Sequence, residues 1–150
     1  MSQTPTRAEI KAFDELSLKE LHDIFWLRNV VFVVGQKITA EPEVDGADPE
    51  CEHAMLWMED RLVGTARIFH KRDPIIVGRV AVHTELQGDG LGTVLMEAVQ
   101  EHLGSRHAEL HAQAHLEEWY TRLGWERFGE PFIEAEISHV MMRWPDTSAK

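Results

Sequence analysis

Three glycines fall within five residues at Gly88, Gly90 and Gly92, in the stretch Gln87-Gly88-Asp89-Gly90-Leu91-Gly92. Before them stands the β-branched run IIVGRVAV at residues 75–82, which reads as a buried strand. After them Leu91, Val94, Leu95, Ala98, Val99 and His102 recur at helical spacing, and Gly104 fits the position just past a helix end. Glycine loses more backbone entropy on folding than other residues, so such a cluster implies unusual dihedrals or a close approach to the main chain. A strand-to-helix turn aims several free backbone N–H groups at one spot, at the positive end of a helix dipole. An anion fits there, a phosphate above all. A glycine-rich turn without a ligand is the alternative.

The rest of the chain reads as a mixed α/β sheet. Residues 8–14 form a first short strand, and Ser17-Leu18-Lys19-Glu20 is a capping box opening a helix. Val30 to Val34 is β-branched and strand-like, and residues 35–52, with Gly, Pro and six acids, make a long loop. A loop of that length inside a compact domain is more often functional than idle. HAMLWM and LVGTARIF flank the turn Glu59-Asp60-Arg61 as a hairpin. HAELHAQ is a short strand, LEEWYTRLG a helix ended by Gly124, and ISHVMMRW a final strand. This order implies an α/β sheet with at least one parallel crossover. Residues 1–150 are read as one domain, since no repeat or linker divides them.

Composition excludes several classes. The net charge of −11 leaves no basic face for nucleic acid and suits a cationic partner such as an amine, although acidic surfaces also serve solubility alone. No run approaches the about 18 apolar residues of a membrane span, and the N-terminus lacks an apolar leader core, so a cytoplasmic location is expected. The single cysteine, Cys51, sits among acids that raise a thiol pKa, which argues against a nucleophile. His107, His111 and His115 recur every four residues, but the run crosses from strand to helix, so they need not share a face and no metal is expected. Trp57, Trp119, Trp125 and Trp144 read as core or groove lining.

The phosphate ligand can be narrowed by spacing. No Lys follows the glycines as a P-loop requires, and Thr93 stands where a dinucleotide fingerprint needs its last glycine. What fits is Q-x-x-G-x-G from Gln87 to Gly92. The segment RVAVHTELQGDGLGTVLMEAV resembles the acetyl-CoA-binding signature of the GNAT N-acetyltransferases, and WYTRLGW their second signature. The segments LRNVVFVVGQ, VDGAD, AQAHLEEWY and FIEAEISHVMM are similar to the ElaA-like branch.

The resemblance implies a twisted mixed sheet flanked by helices, with two central parallel strands splayed to admit acetyl-CoA. Val80, Ala81 and Val82 would border the pantetheine arm, and the backbone of Val80 and Val82 would hydrogen-bond it. Gln87, Gly88, Asp89, Gly90, Leu91, Gly92 and Thr93 would form the pyrophosphate turn. Gln113 stands where many members carry an Asn that contacts the cofactor arm, and Tyr120 where many carry a tyrosine near the thioester sulfur. Asp89 replaces a frequent Lys or Arg, Gly35 a frequent Glu, and Glu136 a frequent Gly.

Acetyl transfer to an amine by direct attack in a ternary complex needs a proton acceptor, an oxyanion donor and a thiolate stabiliser. Tyr120 is the candidate acid. Glu134 and His139 are the candidate bases, but five residues apart they face opposite sides of a regular strand unless Glu134 precedes it. The acceptor is expected to be a primary amine of a small molecule or peptide. A CoA-binding sensor without turnover is the alternative function, and a homodimer an open alternative to a monomer.

Overall fold

The computed structural model describes residues 5–39 and 41–145. The chain builds one seven-stranded sheet in the order β1-β2-β3-β4-β5-β7-β6. Its strands are β1 (Thr6–Ala12), β2 (Glu52–Met58), β3 (Arg61–Phe69), β4 (Ile75–Val82), β5 (Ala108–Gln113), β6 (Glu126–Glu134) and β7 (Ile137–Trp144). The helices are α1 (Leu18–Arg28), α2 (Leu91–Leu103) and α3 (Glu117–Leu123). All neighbouring strands are antiparallel except β4 and β5, which the crossover through α2 makes parallel.

Two apolar layers sandwich the sheet. Leu91, Leu95, Met96, Val99 and Leu103 of α2, with Tyr120 of α3, pack against Leu56, Val63, Ile68, Val77, Leu110, Val140 and Met142. On the other face Ile24 and Leu27 of α1 and Val31 cover Met55, Trp57, Leu62 and Ala81. The capping box forms as expected: Ser17 Oγ accepts from the Glu20 amide at 3.0 Å, and Glu20 Oε1 accepts from the Ser17 amide at 2.8 Å. Gly104 and Gly124 close α2 and α3 with positive φ.

Two local readings need correction. Residues 29–35 are not a strand. They prolong α1 as a π-helical turn, in which the Gln36 amide reaches the Val31 carbonyl at 2.9 Å. Burial of Val31 beside Ile24 and Leu27 outweighs the weak preference of β-branched residues for strands. Residues 126–134, not read as an element, are the edge strand β6, whose pairing shifts register between Phe128 and Phe132 around Gly129 and Pro131. Gly and Pro inside a strand hide its alternation, and the shift lets the strand carry them at an edge.

The β6–β7 connection is a two-residue turn, Ala135-Glu136, with φ of 51° and 66°. Such turns favour glycine because a side chain in the left-handed region costs roughly 1–2 kcal/mol. Glu136→Gly is therefore expected to raise stability by about 1 kcal/mol and Tm by about 2–4 °C after glycine's own entropy cost. A thermal melt with Tm unchanged or lower would remove strain from this turn.

Candidate functional site

β4 and β5 pair only through Ile75–Val77 and Ala108–Leu110, and then separate. The separation starts at a bulge. Thr65 of β3 faces Ala81 and Arg67 faces Gly78, so Arg79 and Val80 together oppose Ala66. Arg79 adopts a φ of 49°, the conformation that turns β4 away from its parallel neighbour. Past the bulge the His83 amide bonds the Val63 carbonyl at 2.9 Å, on the β3 side. By the alternation of a strand, Val82 and Val80 turn their N–H and C=O groups toward the gap. The gap opens a cleft of about 820 Å³ that also reaches Gln36, Glu41, Glu43, His111, His115 and Trp119.

The glycine turn forms one end of that cleft. Gly88 and Gly90 have φ of 94° and 81°, and a Cβ built on either would meet nothing within 4 Å. Gly90 caps α2, so the amides of Leu91, Gly92 and Thr93 start the helix without intrahelical acceptors. The Asp89 amide is engaged in a turn with the Leu86 carbonyl at 3.3 Å. Gln87 Nε2 donates to the Val82 carbonyl at 3.1 Å, which ties the turn to the end of β4. Gly92 has a packing reason as well: a Cβ there would lie 3.2 Å from the Trp119 ring, whose Nε1 donates to Thr93 Oγ1 at 3.2 Å.

Val80, Ala81, Val82, Gln87, Gly88, Gly90, Gly92, Thr93, Gln113, Tyr120, Glu134 and His139 all line this one cleft. Leu91 does not line it with its side chain, which is buried in the core, and Asp89 stays exposed outside. Gln113 joins Gln36 in a reciprocal amide pair, at 3.1 and 3.4 Å, between β5 and the end of the π-helical turn. Gly35 has its own steric reason: a Cβ there would sit 3.1 Å from the Val30 carbonyl oxygen and 3.3 Å from Thr84 Cγ2.

Tyr120 enters from the α2–α3 face with its ring edge-on to Trp119 and Trp125. Burial raises its pKa, and its hydroxyl makes no hydrogen bond to another described residue. The phenol is therefore neutral and holds its proton. Glu134 is on β6, before the hairpin turn, and Phe132 pairs with His139. Two residues beyond Phe132, Glu134 thus shares a face with His139, with Glu134 Oε2 3.8 Å from His139 Nε2.

The site holds contacts that sequence spacing did not mark. His111 Nδ1 lies 2.8 Å from Glu134 Oε1. The other two histidines of its run go elsewhere: His107 Nδ1 lies 3.2 Å from the Trp144 carbonyl, and His115 stands on the turn before α3. No group of three His, Cys, Asp or Glu residues placed for a metal occurs among the described residues. The long loop is held by a buried ionic network. Arg28 Nε and Nη1 reach Glu43 at 2.7 Å and Asp48 at 2.6 Å, and Arg67 grips Asp45 through two bonds of 2.9 and 3.0 Å. Arg79, from the bulge itself, adds contacts to Glu43 and Asp45. The acids of VDGAD were the visible half of this network, but nothing in the spacing pointed to Arg28, Arg67 or Arg79. Cys51 is buried with its thiol pushed up to about 11 by desolvation, a spectator to the cleft.

A model of the acetyltransferase (GNAT) domain matches residues 33–145, which span the cleft-forming strands and the glycine turn. The chain belongs to the GNAT acetyltransferase family. ElaA of Escherichia coli is 35% identical over 137 residues, covering 85% of this chain and 89% of that protein. The crystal structure of ElaA superposes on this GNAT domain with a TM-score of 0.82, covering 93% of this chain and 99% of that one at 32% identity. An acyl-CoA N-acyltransferase from Pseudomonas aeruginosa gives a TM-score of 0.83 with the same identity and coverage. An aminoglycoside 6'-N-acetyltransferase solved with coenzyme A shares the fold at 15% identity, a TM-score of 0.66, and coverage of 90% of this chain and 95% of that one. Splayed parallel strands, a glycine turn and a family match thus agree on an acyltransferase scaffold. No described helix is long and apolar enough to cross a membrane.

Proposed function

We propose that this chain is one cytoplasmic acetyltransferase domain that moves the acetyl group of acetyl-CoA to a primary amine, by direct attack in a ternary complex. The observation that carries this reading is the break between β4 and β5 beyond Val77. It leaves the main-chain groups of Val80 and the Val82 amide facing the gap, where they would bind the pantetheine arm as a strand binds its neighbour, while Gln87 holds the Val82 carbonyl. The arm would lead to the glycine turn, where the open space over Gly88 and Gly90 and the helix amides from Leu91 to Thr93 suit the pyrophosphate. Tyr120 is the group for the sulfur end, and Gln113, held by Gln36, borders the arm. Glu134 and His139 lie on the face opposite α2 and α3, the side left for the acceptor. Asp89 is exposed beside the turn, so the pyrophosphate is carried by amides rather than by a side-chain cation.

Acetyl-CoA at 100 times its Kd is expected to stabilise the protein by roughly 2.7 kcal/mol, a Tm rise of about 5–10 °C. Gly90→Val puts a branched side chain at a φ of 81° and into the ligand's space, and should abolish the rise. Gly90→Asn tolerates the left-handed backbone and suits a helix cap, so it separates folding from binding. A folded Gly90→Asn or Gly90→Val protein with the full rise would refute the phosphate role of this turn. Thiol release stimulated by an amine, against none with any amine, separates the enzyme from a CoA sensor.

A further inference from the structure

We infer that Trp119 is a positioning residue that links the phosphate end of the donor to Tyr120, through the hydroxyl of Thr93. The link rests on the acetyltransferase reading of the cleft. It gives the donor's phosphates a part in turnover as well as in binding.

Tyr120 stands between two indoles, and each is anchored by its N–H to a side chain of α2. Trp125 meets the phenol ring edge-on at 6.3 Å, and its Nε1 donates to Gln100 Oε1 at 2.8 Å. Gln100 is buried, and its Nε2 is spent on the Leu123 carbonyl at 3.0 Å, so this anchor is set by the core. Trp119 meets the phenol ring edge-on at 4.8 Å, and its Nε1 donates to Thr93 Oγ1 at 3.2 Å. Trp119 and Thr93 both line the cleft. The indole edge beside Nε1 also lies on Gly92, where a Cβ would stand 3.2 Å from Trp119 Cζ2. Glycine there lets the indole reach the first turn of α2. One side of Tyr120 is thus held from the core, and the other from the phosphate turn.

The two anchors differ in chemistry. The Gln oxygen carries only lone pairs, whereas a hydroxyl carries a hydrogen as well and turns about its C–O bond. An indole N–H only donates, so Thr93 Oγ1 accepts and its own hydrogen must point away from Trp119. No described residue takes that hydrogen in a hydrogen bond. Beside it are the amides of Leu91, Gly92 and Thr93, which start α2 without intrahelical acceptors. An anion held by those amides would take the hydroxyl hydrogen too, and keep the oxygen's lone pairs turned to the indole. Donation to an anion also makes the oxygen a better acceptor for the indole N–H. A donor that lacks phosphates does neither. The pyrophosphate would thus tighten the Thr93–Trp119 bond, and with it the wall on which Tyr120 packs. Binding energy from a remote part of a substrate is in this way realised at the reacting end, where it raises kcat.

The test compares CoA with pantetheine, which has the same arm and no phosphate, by indole N–H NMR on the full chain. CoA is expected to move the Trp119 N–H signal downfield and to leave the Trp125 signal in place. Pantetheine should not produce that move. Thr93→Val, which keeps the shape and loses the oxygen, should abolish it, and Thr93→Ser should restore it. Turnover gives the second readout. The ratio of kcat with acetyl-CoA to kcat with S-acetylpantetheine should fall about 3–10-fold in Trp119→Phe, the worth of one hydrogen bond. A residue that only packs would lower both rates alike, so an unchanged ratio overturns the link. A Trp119 signal that CoA leaves unmoved, or moves equally in Thr93→Val, also overturns it. Gly90 and Gly92 amides that shift with CoA while Trp119 stays still overturn the link alone. If those amides stay still too, the acetyltransferase reading falls with it.

Discussion

Asp48→Asn is expected to cost about 3 kcal/mol of folding stability. Asp48 is 1% exposed, and Arg28, also 1% exposed, donates to its Oδ1 at 2.6 Å, with Arg67 Nη1 3.3 Å from the same oxygen. Removing one member of a buried ion pair costs about 3–5 kcal/mol, because a charge is left without compensation. Here Arg28 keeps Glu43 and Arg67 keeps Asp45, which sets the expectation at the lower end. The Asn amide would also turn donors or a neutral oxygen toward two guanidinium groups. Urea unfolding should show a lower midpoint with an unchanged slope. A loss under about 1 kcal/mol would mean that the remaining acids carry the network.

Acid should act on the same cluster. Burial alone would raise the Asp48 carboxyl, but the hydrogen bonds and charges of Arg28 and Arg67 outweigh it and hold the group below its ordinary value. Asp45 is lowered further, since the bonds from Arg67 and the Ala47 amide likewise overcome its burial. A depressed native pKa gives stability that is whole above the unfolded value near ~4 and is lost as pH falls through the native one. Glu41, Pro42 and Glu43 of this loop line the cleft, so its anchor and the acceptor side are expected to loosen together.

The sheet was legible where local chemistry was uniform. The β2–β3 hairpin, the glycine turn and α2 each pair an unbroken apolar period with a turn residue, and each forms where expected. β6 was not legible, because Gly129 and Pro131 interrupt it and only its pairing with β7 makes it a strand. That omission carried over to the site. With β6 unread, the spacing of Glu134 and His139 left open whether they face apart on one strand or Glu134 precedes it; Glu134 does precede it, and the hairpin puts the two on one face. His111 was noticed for a fourfold spacing that has no structural meaning here, and its true partner, Glu134, lies 23 residues on. The network of Arg28, Arg67 and Arg79 joins an α1 end, a strand and a bulge, and no sequence period connects those.

Tyr120→Phe is expected to lower kcat by about 10²-fold while Kd for acetyl-CoA and Tm stay close to wild type. The ring packs between Trp119 and Trp125, and phenylalanine keeps both contacts. The hydroxyl makes no hydrogen bond to another described residue, so its removal leaves no buried partner unsatisfied. Its raised pKa also decides what the group can do. Burial lifts a phenol that starts near ~10, whereas a free thiol sits near ~8.5, so complete transfer of the proton to the leaving sulfur runs uphill. Donation of a hydrogen bond to the sulfur as its charge develops needs no such transfer. It stabilises the transition state more than the ground state, so its loss appears in kcat and kcat/KM rather than in KM. Removal of one such donor from a dry site is worth about 10²–10³-fold, and a thiolate is already a fair leaving group, which favours the lower figure. Wild-type turnover in a stable Tyr120→Phe protein would remove the phenol from the chemistry and leave the thiolate to be quenched by solvent.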